Sequence, residues 1–110
     1  MSKHARRIVL RPRVEQDLEQ QTEYLEEQAS SEVADRYLVS EGAAFEMLAQ
    51  MPGMGALREN LNARLTGLRM LPVPDFPRYL IFYRATDEDL EIIRVLHSSQ
   101  NTEGIVREEF

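Results

Sequence analysis

Hydrophobic and polar positions change period partway along this chain. Arg7-Ile8-Val9-Leu10 is a short apolar run stopped by Pro12 and predicts a strand. Pro12 suits the first position of a helix. From there Val14, Leu18, Leu25 and Ala29 recur at intervals of four, seven and four, with Tyr24 beside them. That is one apolar stripe on an amphipathic helix. Glu15, Asp17 and Glu19 fall in the first turns, where the helix dipole favours acids. Ser30-Ser31 supplies a break and an N-cap. A second helix then carries Val33, Tyr37, Leu38, Ala44, Phe45 and Leu48, and ends at Pro52-Gly53 and Gly55. The short link predicts an antiparallel hairpin. Gly42 is expected at a close crossing, since glycine inside a helix costs about 1 kcal/mol against alanine.

After Asn62 the helical period gives way. Arg64 to Val73 predicts one strand, and Pro72, Pro74 and Pro77 an irregular loop. Tyr79-Leu80-Ile81-Phe82-Tyr83-Arg84 is a strong strand, Thr86-Asp87-Glu88-Asp89 a polar turn, and Leu90 to Leu96 the next strand. The predicted class is α+β: an N-terminal strand, an antiparallel helix hairpin, then a three-stranded antiparallel meander. The last two strands are apolar on both alternating faces, which requires cover on both sides. The hairpin covers one face, and a second polypeptide is expected on the other. Residues 1–110 form one domain by length, with a polar, loose tail from about residue 98 in which Ile105, Val106 and Phe110 are the apolar exceptions.

Charge narrows the classes of function. The chain carries a net charge of −6. Residues 1–13 hold five basic residues and no acid, whereas residues 14–62 hold eleven acids against Arg36 and Arg58. Such a field repels nucleic acid from most directions. There is no cysteine, so no disulfide framework and no thiolate metal site. His4 and His97 lack the spacing of a metal pair, and His4 gains no role. No signal peptide or membrane span is visible, which suits a cytoplasmic protein.

Several strings, in order, resemble the ParE branch of the RelE/ParE superfamily of bacterial toxins. They are Ala43-Ala44-Phe45-Glu46-Met47-Leu48 leading into Met51-Pro52-Gly53-Met54-Gly55, then Gly67-Leu68-Arg69, Tyr79 to Arg84, and Ile92-Ile93-Arg94-Val95-Leu96-His97. The resemblance implies the toxin of a type II toxin–antitoxin pair that inhibits DNA gyrase, needs no cofactor, performs no catalysis and is neutralised by a ParD-like antitoxin. Contact with DNA would come only through that antitoxin. One corner departs from the family: where such toxins commonly place arginine and an acid after the histidine, this chain has Gln100 and Asn101.

Residues with candidate roles follow. Leu18, Leu25, Arg69, Tyr83, Arg84 and Arg94 are expected to meet the antitoxin, and His97, Gln100 and Asn101 the target. A bland alternative stands beside each. His97 is more simply a strand-end histidine bonded to backbone. Arg69, Arg84 and Arg94 equally suit internal pairing with Asp87, Glu88 or Glu91, because a half-buried guanidinium needs a partner. Tyr24 and Tyr37 read as packing. Glu15, Asp17, Glu19, Glu23, Glu26 and Glu27 read as a solvated face. Two competing functions remain. A RelE-like ribosome-dependent mRNA endonuclease needs proton-transfer groups and cations on the phosphate, but there is no lysine after Lys3 and no tyrosine after Tyr83. A non-toxic co-repressor remnant is the other, which the Gln100-Asn101 departure keeps open.

Overall fold

The computed structural model describes residues 5–110, so Lys3 and His4 lie outside the described residues. Strand β1 (Arg7–Leu10) leads through Pro12 into helix α1 (Pro12–Gln28). Ser30 begins helix α2 (Ser31–Gln50), its hydroxyl accepting from the Val33 N–H at 3.1 Å. A cap of this kind stabilises a helix by about 1 kcal/mol. A short turn then leads into β2 (Ala56–Leu57), followed by β3 (Arg69–Val73), β4 (Phe76–Ala85), β5 (Asp89–His97) and a last helix, α3 (Thr102–Arg107).

The strands form one five-stranded sheet in the order β1-β5-β4-β3-β2. β2, β3, β4 and β5 pair antiparallel, and β1 joins β5 in parallel, so the sheet is mixed. The expected irregular loop at the prolines shrinks to a turn at Pro74-Asp75, with Asp75 at φ 68°, a conformation aspartate tolerates better than most residues. Pro72 lies within β3, beyond the reach of β2, so its missing N–H leaves no ladder bond unmade on that edge. Pro77 falls inside the irregularity between the Val73–Phe76 and Pro72–Leu80 pairs. β3 therefore starts at Arg69, later than the predicted Arg64.

Two cores result, one on each face of the sheet. Val14, Tyr37, Ala44, Phe45 and Leu48 of the hairpin pack on Tyr79, Ile81, Tyr83, Leu90, Ile92 and Val95. On the other face Phe82, Ile93 and Leu96 are covered by Leu61, Leu65 and Leu68 of the loop before β3 and by Val106 of α3, with Ile105 beside them. The expectation that a second polypeptide must cover this face is overturned: the chain closes it with its own loop and C-terminal helix. The expected loose tail is likewise corrected, because Val106 is fully buried. Asn62 fastens the segment by donating to the carbonyls of Val106 at 2.8 Å and Glu109 at 2.6 Å. Gly42 faces solvent and approaches nothing. Gly55 is the glycine that close approach demands, since a Cβ there would strike the Tyr83 hydroxyl and the Met70 carbonyl.

A chain cut before Thr102 is expected to lose about 3 kcal/mol or more, the worth of one fully and one partly buried aliphatic side chain. It should also bind a hydrophobic dye through the uncovered Leu65, Leu68, Ile93 and Leu96. Urea unfolding and dye fluorescence measure both, and an unchanged midpoint would contradict the packing role of α3.

Candidate functional site

Arginine and carboxylate side chains form a continuous string along the β5 edge. β1 pairs with β5 only as far as Ile92. Beyond that point α1 takes over the exposed edge with side chains: Asp17 accepts from the Val95 N–H at 3.2 Å, and Gln21 donates to the Val95 carbonyl at 2.8 Å. Asp17 also accepts two bonds from Arg94, both at 2.8 Å. Arg94 reaches Glu109 at 3.4 Å, Glu109 meets Arg11 at 3.6 Å, and Arg11 meets Glu91 at 3.0 Å. Glu91 closes the string on Arg84 at 2.7 Å. Burial pushes the Glu91 carboxyl up, but the hydrogen bonds from Arg84 and Arg11 outweigh it and hold the group below its ordinary value. The Asp17 hydrogen bond holds Arg94 charged more firmly than usual.

Arg94, expected at the antitoxin surface, is thus buried and paired within the chain. Its partners are Asp17 and Glu109 rather than Asp87, Glu88 or Glu91. Arg84 does pair with Glu91 and keeps part of its guanidinium in solvent. Tyr83 is fully buried; its hydroxyl donates to the Pro52 carbonyl at 2.6 Å and accepts from the Gly55 N–H at 2.8 Å. It pins the turn after α2 to the sheet from inside. Leu18 and Leu25 are half-buried against the hairpin core. Among the described residues Arg69 finds no carboxylate; it donates to the Gly55 carbonyl at 2.7 Å and, more weakly, to that of Gly53 at 3.5 Å.

At the other end of β5 the corner is tied by its own residues. The His97 ring accepts from the Ser99 N–H at 3.0 Å and stacks edge-on against Tyr79. Gln100 accepts from the His97 backbone N–H at 2.9 Å, and Asn101 caps α3 by accepting from the Gly104 N–H at 3.2 Å. The two residues that depart from the family therefore each hold local backbone. They also stay exposed, and a cleft lined by Gln20, Tyr24, Tyr79, His97 and Gln100 opens beside them. Tyr24, expected to pack, is 57% exposed, whereas Tyr37 is fully buried between Phe76 and Tyr79.

Asp17 is not part of a solvated acidic face. It lies three residues from Val14 and four from Gln21, on the inward stripe of α1, and that spacing was the available signal. Glu41 is a second buried carboxyl that charge counting passes over. It is 4% exposed, and its Oε2 has no hydrogen-bond partner. Burial pushes its pKa up to about 8, against a smaller opposing pull from the Tyr37 hydroxyl. Among the described residues no three His, Cys, Asp or Glu side chains converge to hold a metal ion. No helix there is long and apolar enough to cross a membrane.

The overall fold, a helical hairpin on a mixed sheet in this chain, has a likeness among solved structures. A solved chain of the chromosomal ParDE toxin–antitoxin system from P. aeruginosa superposes with a TM-score of 0.68 at 17% identity, over 86% of this chain and 98% of that one. That likeness shows a shared fold. Residues 8–102 match the family model described as the ParE toxin of the type II toxin–antitoxin system parDE. Toxin ParE1 of Caulobacter vibrioides is 38% identical over 89 residues, which is 81% of this chain and 85% of that protein. This chain belongs to the ParE toxin family.

Two stability predictions follow from the buried charges. Asp17→Ala is expected to cost about 3–5 kcal/mol, because it strands Arg94 in the interior. Adding Arg94→Leu should recover much of that loss, and strictly additive losses in a urea-unfolding cycle would reject the coupling. Glu41 acts with the opposite sign. Unfolded it ionises near 4.5, folded near about 8, so between these the folded chain holds a proton the unfolded chain has lost. Stability contributed by this group therefore falls as pH rises across that window and levels off above it. Glu41→Met should stabilise the protein by an amount that grows, on the order of a few kcal/mol, between about pH 5 and pH 8. A gain independent of pH would refute this.

Proposed function

We propose that this ParE-family chain inhibits DNA gyrase by binding, performs no catalysis, acts in the cytoplasm and is neutralised by a ParD-like antitoxin. The family match over residues 8–102 carries the reading. Chemistry supports it from a second side. Ribosome-dependent cleavage of mRNA needs groups to move protons and cations to stabilise the phosphate. Here the half-buried Arg11 and the buried Arg94 are committed to carboxylates. A net charge of −6 gives no attraction toward RNA.

In this reading the antitoxin meets Arg69 and Arg84, which keep partial exposure, and the half-buried Leu18 and Leu25 of α1. Tyr83 and Arg94 shape that surface from inside. The target meets the exposed corner of His97, Gln100 and Asn101. A co-repressor remnant is the second reading, because Gln100 and Asn101 replace the charged pair common in the family.

Expression of the chain without its antitoxin is expected to arrest growth. Purified protein with gyrase is expected to turn supercoiled plasmid into linear DNA. Normal growth under induction would favour the remnant, and mRNA cut on translating ribosomes would favour the nuclease.

A further inference from the structure

A cleft of about 310 Å³ opens where the turn after α2 meets the β4–β5 hairpin. That is room for roughly ten waters. Arg6 and Arg69 both line it. Neither makes an ion pair among the described residues, unlike Arg7, Arg11, Arg58, Arg84, Arg94 and Arg107. Each is instead held in place by backbone. Arg6 Nε donates to the Thr86 carbonyl at 2.6 Å, and Arg69 Nη1 donates to the Gly55 carbonyl at 2.7 Å. Among the described residues one nitrogen of each guanidinium is so engaged, and the others take no partner there. Two guanidinium groups already oriented lose little freedom when they take an anion. Gly53, Gly67 and Ala85 line the same cleft and leave space for an incoming group.

We infer that this cleft is a receptor for a side-chain carboxylate of a partner polypeptide, which Arg6 and Arg69 clamp together. The assignment rests on the proposed pairing with an antitoxin and names the chemistry of the contact. Two observations favour a peptide carboxylate over a nucleic-acid backbone. Asp87 lines the cleft, and Glu88 follows it in the same turn. A chain of phosphates would run into these acids, whereas a single carboxylate presents one charge and can be placed away from them. The neighbouring surface is also apolar: Met51 and Met54, on either side of Pro52-Gly53, are 54% and 45% exposed. A peptide with an acidic residue flanked by apolar side chains matches both features.

The test measures binding of the antitoxin encoded beside the gene to the full-length toxin and its variants. Arg6→Ala and Arg69→Ala should each weaken binding about tenfold or more, and the double variant about a hundredfold, as expected for hydrogen bonds to a charged group. Asp87→Asn removes the competing acid and should tighten binding, a change that mere misfolding would not produce. Arg69→Lys, which keeps the charge, should retain part of the affinity if Arg69→Ala loosens the turn at Gly53–Gly55. Unchanged affinity in the double variant, together with no tightening by Asp87→Asn, overturns the assignment.

A second measurement separates this inference from the pairing itself. The Arg Nε–Hε resonances of the isolated protein are followed while N-acetylglutamate amide, and separately inorganic phosphate, is added at millimolar concentration. Selective shifts of Arg6 and Arg69 with the glutamate derivative support the cleft even if the neighbouring antitoxin fails to bind. Absence of such shifts, or a response to phosphate alone, overturns it.

Discussion

The buried pairing of Arg94 with Asp17 is the joint on which the fold turns. It ties α1 to β5 at the point where β1 can no longer pair, and through Glu109 and Arg11 it joins the β1–α1 link to the C-terminal segment. A bulge sets it up. Phe82 pairs with Arg94 and Tyr83 with Ile92, so Ile93 is an extra residue in β5. Ile92 then packs under the hairpin, while Arg94 lies opposite Phe82 of the second core. Bulges redirect side chains in this way. A buried ion pair adds little to stability compared with apolar residues of the same shape, but either partner alone is costly. Its worth here is to admit one register and one docking of α1, because any slip leaves a charge buried without its mate.

Closing both faces changes what a partner has to do. The second core is completed by Leu61, Leu65, Leu68 and Val106, so an antitoxin finds a finished sheet rather than a missing layer. Affinity must then come from surface features: exposed side chains such as Tyr24, Val39, Met51 and Met54, and cations whose donors remain unspent. Interfaces of this kind depend on a few oriented groups more than on area.

Much of this was legible in the chain and some was not, for identifiable reasons. Apolar periodicity located β1, both hairpin helices, β4 and β5, because each buries one face or both and must repeat accordingly. The prolines misled, because a proline disrupts a strand only where its N–H would be needed, and at Pro72 and Pro77 it is not. The C-terminal helix was missed because six residues cannot show a convincing period, and Val106 alone is fully buried there. At the candidate sites, sequence reasoning recognised that Arg69, Arg84 and Arg94 need partners. It could not say which, since Asp17 and Arg94 lie 77 residues apart and the acids near Arg94 in sequence were the natural guess. Glu41 carries no signal of its own beyond sitting on the same helical face as Tyr37 and Ala44.

The distribution of arginines follows from these constraints. An acidic chain has carboxylates to spare, and most arginines near the sheet are drawn to them: Arg7 to Asp89, Arg11 and Arg84 to Glu91, Arg94 to Asp17. Each such pair cancels its own field, so these cations contribute little to attracting an outside anion. A guanidinium anchored by a carbonyl is different, because a neutral acceptor fixes its position without cancelling its charge. Arg6 and Arg69 are anchored in that manner. The negative field of the whole chain turns away polyanions at long range, while at short range these two groups still favour a single carboxylate. The same charge pattern thus disfavours a nucleic-acid substrate and leaves room for an acidic residue on a protein partner.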